Sequence, residues 1–327
     1  MRGELDVGPP LPERGEGWGE GPALVDPEPV AWVLNLDADL ELAKPNRYAP
    51  TAASRRMNAA FRSVASALLG PFDVVLEEGD RLPDRLRGMA GRAFCPTPRA
   101  RRLLREAGAA PEPAPELAVL RAVNSRAFCA ALGERSLPDC AFVEDLESAL
   151  RLLSRRSPTD RWLAKRAFGF AGKGQRRFSS SPSAADLAWV RASMAAGGLQ
   201  IEPFVEVALE VALHGHVDAS GACRRGKPCV QTCDAFGTWR HSRVAEPGEI
   251  GDAEQEALRS AFDETAVALA NAGYFGPFGI DAFRWRAPDG ALRFRPRSEI
   301  NARFTMGYPV GMQDRSRSRS RRHPNGT

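Results

Sequence analysis

One stretch, GPFGIDAFRWRAPDGALRFRPRSEINARFTMG, constrains this chain more than any other. It reads as two short strands, Phe278–Trp285 and Ala291–Ile300, joined at Ala287-Pro288-Asp289-Gly290. Pro and Asp-Gly are turn formers, and the aromatic and branched residues on either side suit a hairpin. Side chains alternate faces along a strand, so Glu299 and Asn301 point the same way. Pairing of the strands brings Asp281 to the same place. Two carboxylates and an amide oxygen are the hard ligands Mg2+ takes, its other positions going to water and phosphate. Arg303 continues that face. A solvated strand end with an Arg–Glu pair would show the same spacing, so the hairpin is a candidate to be weighed with the rest of the chain.

The lysines mark a second place. There are four (Lys44, Lys165, Lys173, Lys227) against 41 arginines. A chain that uses Arg almost everywhere keeps Lys where a compact ammonium on a flexible stem is needed and a planar fork is not. Lys165 lies on a short strand, Trp162–Arg166, that runs into Phe168-Gly-Phe-Ala-Gly-Lys-Gly-Gln175 and then a strand at Arg176–Phe178. Strand, glycine-rich loop and strand make a flap whose backbone N–H groups can approach phosphates. It is neither a P-loop nor a G-x-G-x-x-G dinucleotide turn. Flexible glycine hairpins are common, and the loop alone identifies nothing.

Residues 1–28, rich in Gly, Pro and Glu, read as a disordered leader. Val30–Leu36 is a buried strand, Thr51–Leu69 a helix with Met57, Phe61, Val64 and Leu68 at helical spacing, and Phe72–Leu76 the next strand. A strand at Arg92–Cys95 and a helix at Pro98–Ala107, stopped by Gly108, complete an alternating pattern that implies a small parallel α/β domain. The Pro-rich run Pro111–Pro115 is its exit. Beyond it come a helix Asn124–Leu132 with Asn124 as N-cap, a strand Cys140–Val143, and a helix Leu146–Leu153 capped by Asp145. After a helix at Ala184–Ala195, the strand-like run Leu199–Val217 is broken by Pro203, which suggests a bend between two lobes. Cys223–Val244 has no clear pattern, and a helix at Asp252–Ala270 precedes the hairpin.

With 43% hydrophobic and 26% charged residues the chain is an ordinary globular protein. Its N-terminus lacks an apolar signal region and no apolar run reaches membrane-spanning length, so a cytoplasmic location is expected. The net charge of +4 belongs entirely to residues 314–327, DRSRSRSRRHPNGT. That tail reads as a disordered Arg/Ser segment. It could make salt-dependent contacts to RNA, but no RNA-binding fold accompanies it, and a solvated end is the simpler reading. His214 and His216 share a strand face, with Cys223, Cys229 and Cys233 following. Zn2+ favours such ligands, yet C-x5-C-x3-C lacks the close C-x2-C pair, and single buried cysteines are ordinary in such proteins. Disulfides are not expected.

In this order the segments resemble the ATP-grasp superfamily of ligases, from about Asn124 to Gly307. The resemblance implies an α/β fold with α+β lobes: a pre-ATP-grasp α/β domain over 29–115, an N-lobe with the flap over 116–203, and a C-lobe with the metal-binding hairpin over 204–313. It makes Lys165 the strand lysine and Gly169, Gly172, Lys173 and Gly174 the flap. Glu202-Pro203-Phe204-Val205 resembles the hinge that holds adenine, and Glu210 the ribose carboxylate. Asp281, Glu299 and Asn301 would hold Mg2+, two ions or Mn2+ in their stead, with Arg303 at the reacting carbonyl. Members carry a further upstream Lys, where this chain offers Arg126. Of Arg295 and Arg297, alternation puts Arg297 with Glu299, which makes it the better candidate for a substrate carboxylate.

The activity implied is ATP-dependent condensation of a small-molecule or peptide carboxylate with an amine (or a thiol or hydroxyl) through an acyl phosphate. A small-molecule kinase on the same fold, or a nucleotide-binding protein without turnover, are the alternatives. The first domain should help wall the acceptor site, with Asn35-Leu-Asp-Ala-Asp39 at the end of its first strand either contacting ligand or capping the next element. No membrane partner is expected, and homodimerisation is left open.

Overall fold

The buried run after Pro29 alternates sharply: Ala31 and Val33 enter one apolar cluster, and Val30, Trp32 and Leu34 another. That period-2 division makes Ala31–Val33 a strand covered on both faces. The computed structural model describes residues 28–79, 86–133, 137–170, 172–179, 182–234 and 237–313. The tail at 314–327, and all but the last residue of the leader, lie outside the described residues. So does Ala171 of the flap.

The first strand, β1 (Ala31–Val33), is joined by β2 (Val74–Val75), β3 (Ala90–Ala93) and β4 (Ala110–Pro111) in a parallel sheet of order β2-β1-β3-β4. Its helices are α1 (Ala38–Ala43), α2 (Ala52–Ala65) and α3 (Pro98–Glu106). Thr97 caps α3, its side chain accepting from Ala100 N, and Pro98 opens the first turn where its missing N–H costs nothing. The alternating pattern of the sequence is present here, with strands shorter than their apolar runs.

Two helices follow, α4 (Leu117–Asn124) and α5 (Arg126–Ala131). The expected N-cap Asn124 is instead the last residue of α4, and Ser125 caps α5 by accepting from Ala127 N. Asn124 has another role. Its amide donates to Leu120 O (2.9 Å) and Ala302 O (3.2 Å) and accepts from Ala302 N (2.9 Å). A buried backbone segment just past Asn301 thereby gets both its polar groups satisfied.

The second sheet is antiparallel, order β5-β8-β6-β7, from β5 (Ala141–Val143), β6 (Arg161–Phe170), β7 (Lys173–Ser179) and β8 (Leu199–Pro203). Helices α6 (Leu146–Leu153) and α7 (Ala184–Met194) cover one face, burying Trp162, Phe178, Val190 and Ile201 between them. Asp145 caps α6 as expected, accepting from Ser148 N at 2.7 Å. Alternation leaves Leu163, Lys165 and Glu202 on the other face.

At Pro203 the chain leaves this sheet and enters the third as β9 (Glu206–Val217), the bend expected of that proline. The unpatterned stretch Cys223–Val244 forms three short strands, β10 (Cys223–Arg225), β11 (Cys229–Cys233) and β12 (Trp239–Val244). After α8 (Asp252–Asn271) comes the hairpin, β13 (Gly276–Arg286) and β14 (Leu292–Asn301), and then one turn of helix, α9 (Tyr308–Gly311). The order is β12-β11-β9-β13-β14, with β10 also on β9. Helix α8 packs across the far face, Phe262 stacked on Phe278 with ring centroids 4.8 Å apart.

Three glycines owe their place to one side chain. His214 on β9 is buried, and burial pushes its imidazole down to about 4, so it is neutral. A Cβ at Gly279 would lie 2.7 Å from His214 Nδ1, one at Gly307 2.7 Å from Nε2, and one at Gly311 2.7 Å from Cδ2. Backbone from β13 and α9 closes on the ring because no side chain intervenes. Gly279→Ala should therefore lower unfolding free energy by about 1–3 kcal/mol by overpacking. In a His214→Ala background that penalty should shrink, as read by urea denaturation of the two singles and the double.

Candidate active site

The hairpin register sets Asp281 directly opposite Glu299 and Gly279 opposite Asn301. Asp281, Glu299 and Asn301 thus converge at one end of a cavity of about 700 Å3 between the second and third sheets. Lys165, Gly169, Gly172, Lys173 and Gly174 line its other wall, with Glu202, Phe204, Val205 and Glu210 along the bend. Arg126, Arg303 and Asp39 close the hairpin end.

The charged groups at the hairpin end are held by hydrogen bonds and ion pairs. Asp281 accepts from Gln231 (2.9 Å) and from Asn301 (2.9 Å). Arg126 donates to Glu299 (2.8 Å) and to Arg166 O (2.8 Å), joining α5, β6 and β14. Arg303 bridges Asn301 Oδ1 (2.6 Å) and Asp39 Oδ2 (2.6 Å), so the first domain contributes a buried carboxylate to the site. Burial, and then the neighbouring Glu299, push the Asp281 carboxyl up to about 6. Glu299 is half-buried, and Arg126, Lys165 and Arg303 outweigh its loss of solvent and hold it below the usual range. Asp39 is raised by burial, which Arg303 only partly offsets.

Two adjacent half-buried carboxylates, one of them resisting ionisation, are what a divalent cation would relieve. The donors at hand are all oxygens, and Asp281, Glu299 and Asn301 therefore fit Mg2+. Among the described residues, no three His, Cys, Asp or Glu side chains cluster as a metal-binding group. His214 is enclosed by glycine backbone, and Cys229 is buried beside it.

The flap is built by backbone freedom. Gly172 and Gly174 have φ of 75° and 84°, a conformation that side-chain-bearing residues rarely adopt. A Cβ at Gly169 would come within 2.9 Å of Lys173 O and 3.2 Å of Arg126 Nη1.

This architecture recurs in known proteins. No family model matches the chain, and no curated protein matches it in sequence. D-cycloserine synthetase DcsG superposes with a TM-score of 0.52 at 15% identity, covering 88% of this chain and 95% of that one. D-alanyl-alanine synthetase A from Vibrio cholerae O1 biovar eltor str. N16961 does so with a TM-score of 0.50 at 11% identity, covering 87% and 91%. The fold is that of the ATP-grasp superfamily.

Within this ATP-grasp fold one expected site residue lies elsewhere. Arg297 does not reach the cavity. Between the pairs Asp281–Glu299 and Phe283–Arg295 the strand β13 advances two residues and β14 four. Pro296 sits in that irregularity, without an N–H for the ladder, on a strand at the sheet edge. Simple alternation fails across the bulge, and Arg297 turns to the helix side. There it donates to Leu132 O (2.9 Å), Gly133 O (3.1 Å) and Ala261 O (3.2 Å), tying α5 to α8.

Arg295 lies behind the cavity wall, against Glu202. It donates to Glu202 Oε2 at 2.7 Å, while Lys165 Nζ lies 2.6 Å from Glu202 Oε1. Gln231 and Cys233 also reach the cavity, from a strand with no spacing signal to announce it. Phe204 lies under two guanidinium groups, those of Arg161 (4.5 Å) and Arg177 (4.3 Å). No helix among the described residues is long and apolar enough to cross a membrane.

Burial would raise the Glu202 carboxyl, but Lys165 and Arg295 overcome this and hold it at about 2, against an ordinary 4.5. A carboxylate depressed on folding adds stability that is full above its unfolded pKa and is lost as pH falls through the folded one. Glu202→Gln should therefore cost about 3 kcal/mol at pH 7, leaving two buried cations without their anion. The gap to wild type, followed by denaturant unfolding at successive pH values, should hold from pH 7 to about 4.5 and narrow towards about 2.

Proposed function

We propose that this protein is an ATP-dependent carboxylate–amine ligase. The observation that carries the reading is the convergence, in one cavity, of the Asp281–Glu299–Asn301 oxygen set with Lys165, Arg126, Arg303 and the glycine flap. Two neighbours of the same fold, D-cycloserine synthetase and D-alanyl-alanine synthetase, are synthetases by name.

ATP would lie between the second and third sheets. Phe204, Val205 and Glu210 are the candidates for its base and ribose end, and Lys165, Lys173 and Arg126 for its phosphates. Asp281, Glu299 and Asn301 would hold Mg2+, whose charge would neutralise the phosphate oxygens as the γ-phosphoryl moves. A substrate carboxylate oxygen bonds to the γ-phosphorus as the bond to the ADP oxygen breaks. An amine then bonds to the acyl carbon, phosphate leaves, and the amine gives up a proton.

Arg303, fixed between Asn301 and Asp39, presents a preorganised cation where negative charge gathers on the acyl oxygen. Closure of the Gly172–Gly174 flap would exclude the water that otherwise hydrolyses an acyl phosphate.

The test is ADP release from Mg2+ and ATP in the presence of amino acids, short peptides and other carboxylates, each with and without an amine. Ligation predicts ADP, free phosphate and a condensed product in equal amounts. Lys165→Met and Glu299→Gln should each lower the rate about 100-fold or more, as measured by coupled ADP detection. Phosphate retained on the acceptor would make the protein a kinase and overturn the reading. So would nucleotide binding without ADP from any acceptor.

A further inference from the structure

Arg295 is the most deeply buried arginine among the described residues, 1% exposed, and no catalytic step above uses it. It reaches from β14 of the third sheet to Glu202 of β8 in the second, so one ion pair joins the two walls of the cleft. Glu202, itself 3% exposed, divides its oxygens. Oε1 meets Lys165 at 2.6 Å, while Oε2 accepts from Arg295 at 2.7 Å and from Gln200 at 2.9 Å. Lys165 and Glu202 line the cavity, and Arg295 sits behind the carboxylate, its other nitrogen 3.3 Å from Cys140 Sγ. The carboxylate therefore has one cation on the cavity side and one on the interior side.

We propose that Arg295 is a positioning residue for nucleotide binding, the standing counter-ion of Glu202 that lets Lys165 exchange this carboxylate for phosphate oxygens. The inference rests on the ATP-dependent reading of the same cavity. Lys165 is engaged by Glu202, so binding phosphate means leaving a buried anion behind. A buried charge that loses its only partner is strongly unfavourable. With Arg295 in place, Glu202 stays paired throughout. The division of labour follows from side-chain chemistry: the guanidinium is a rigid fork locked by packing, and the ammonium rides on a flexible stem that can swing into the cavity. Without Arg295, Lys165 would become the sole counter-ion of Glu202 and be held there.

The test compares wild type, Arg295→Met and the double variant Arg295→Met/Glu202→Gln, each by two readouts. The first needs no nucleotide: trace acetylation of the ligand-free protein, with labelling at Lys165 measured by mass spectrometry relative to Lys44. Arg295→Met should lower labelling at Lys165 about fivefold or more, because an amine held by a lone buried carboxylate is less free to react. The double variant, with no anion to hold the amine, should return to within about twofold of wild type. The second readout is calorimetric titration with Mg2+ and ATP. Here Arg295→Met should bind about tenfold more weakly or worse, and the double variant should recover most of that loss.

Unchanged Lys165 labelling in Arg295→Met would overturn the proposal, as would a double variant as impaired as the single. Should Arg295→Met fail to fold, the double variant carries the test, since Lys165, the charge left there without its anion, lies at the cavity wall. Labelling within about twofold of the wild-type level, or above it, would support the proposal, and labelling further below would overturn it. If wild type binds no ATP, the ligase reading fails, while the labelling still decides whether Arg295 governs Lys165.

Discussion

The pairing of buried carboxylates with buried cations is the constraint on which the cleft depends. Glu202 sits between Lys165 and Arg295, Glu299 against Arg126, and Asp39 against Arg303. Each pair joins parts of the chain that are far apart in sequence: β8 with β6 and β14, β14 with α5, and α1 with the segment after β14. Desolvating a lone carboxylate here would cost several kcal/mol. The three layers must therefore assemble together for any of these groups to be buried. Asp281 is the exception, held by two neutral amides and raised towards neutrality by burial and by Glu299. A site that pairs Glu202, Glu299 and Asp39 with cations and leaves Asp281 short of positive charge is suited to a metal ion.

The first domain contributes a side chain to the cleft as well as packing against it. Asp39, at the start of α1, fixes Arg303 beside Asn301, and the carbonyl of Leu42 in the same helix accepts from Arg121 of α4. Arg303 would be free to rotate without that contact. Its orientation, which the proposed acyl transfer needs, thus depends on a residue more than 250 positions earlier in the chain.

Much of this was legible in the sequence, for reasons that can be named. The hairpin was readable because Pro288-Asp289-Gly290 fixes a turn, and turn and alternation together bring Asp281 opposite Glu299. Asp145 was readable as a cap because a polar residue there directly precedes an apolar periodic run. Arg297 was misread because alternation is a local rule, and the bulge at Pro296 breaks it without a signal beyond the proline itself. Asn124 was misread because Ser125 beside it is an equally good cap, and only tertiary contact with Ala302 decides between them. The strands within Cys223–Val244 are short and mostly half-buried, so no apolar alternation marks them. The partnership of Arg295 with Glu202 joins residues 93 apart in sequence, and no periodicity records it.

The central claim is that one cavity takes a nucleotide triphosphate together with magnesium, and titration calorimetry with ATP, run with and without Mg2+, tests it most directly. The account predicts one site per chain, strengthened about tenfold or more by the metal, with the metal dependence lost in Asp281→Asn. No detectable binding, or binding indifferent both to Mg2+ and to Asp281, would contradict it.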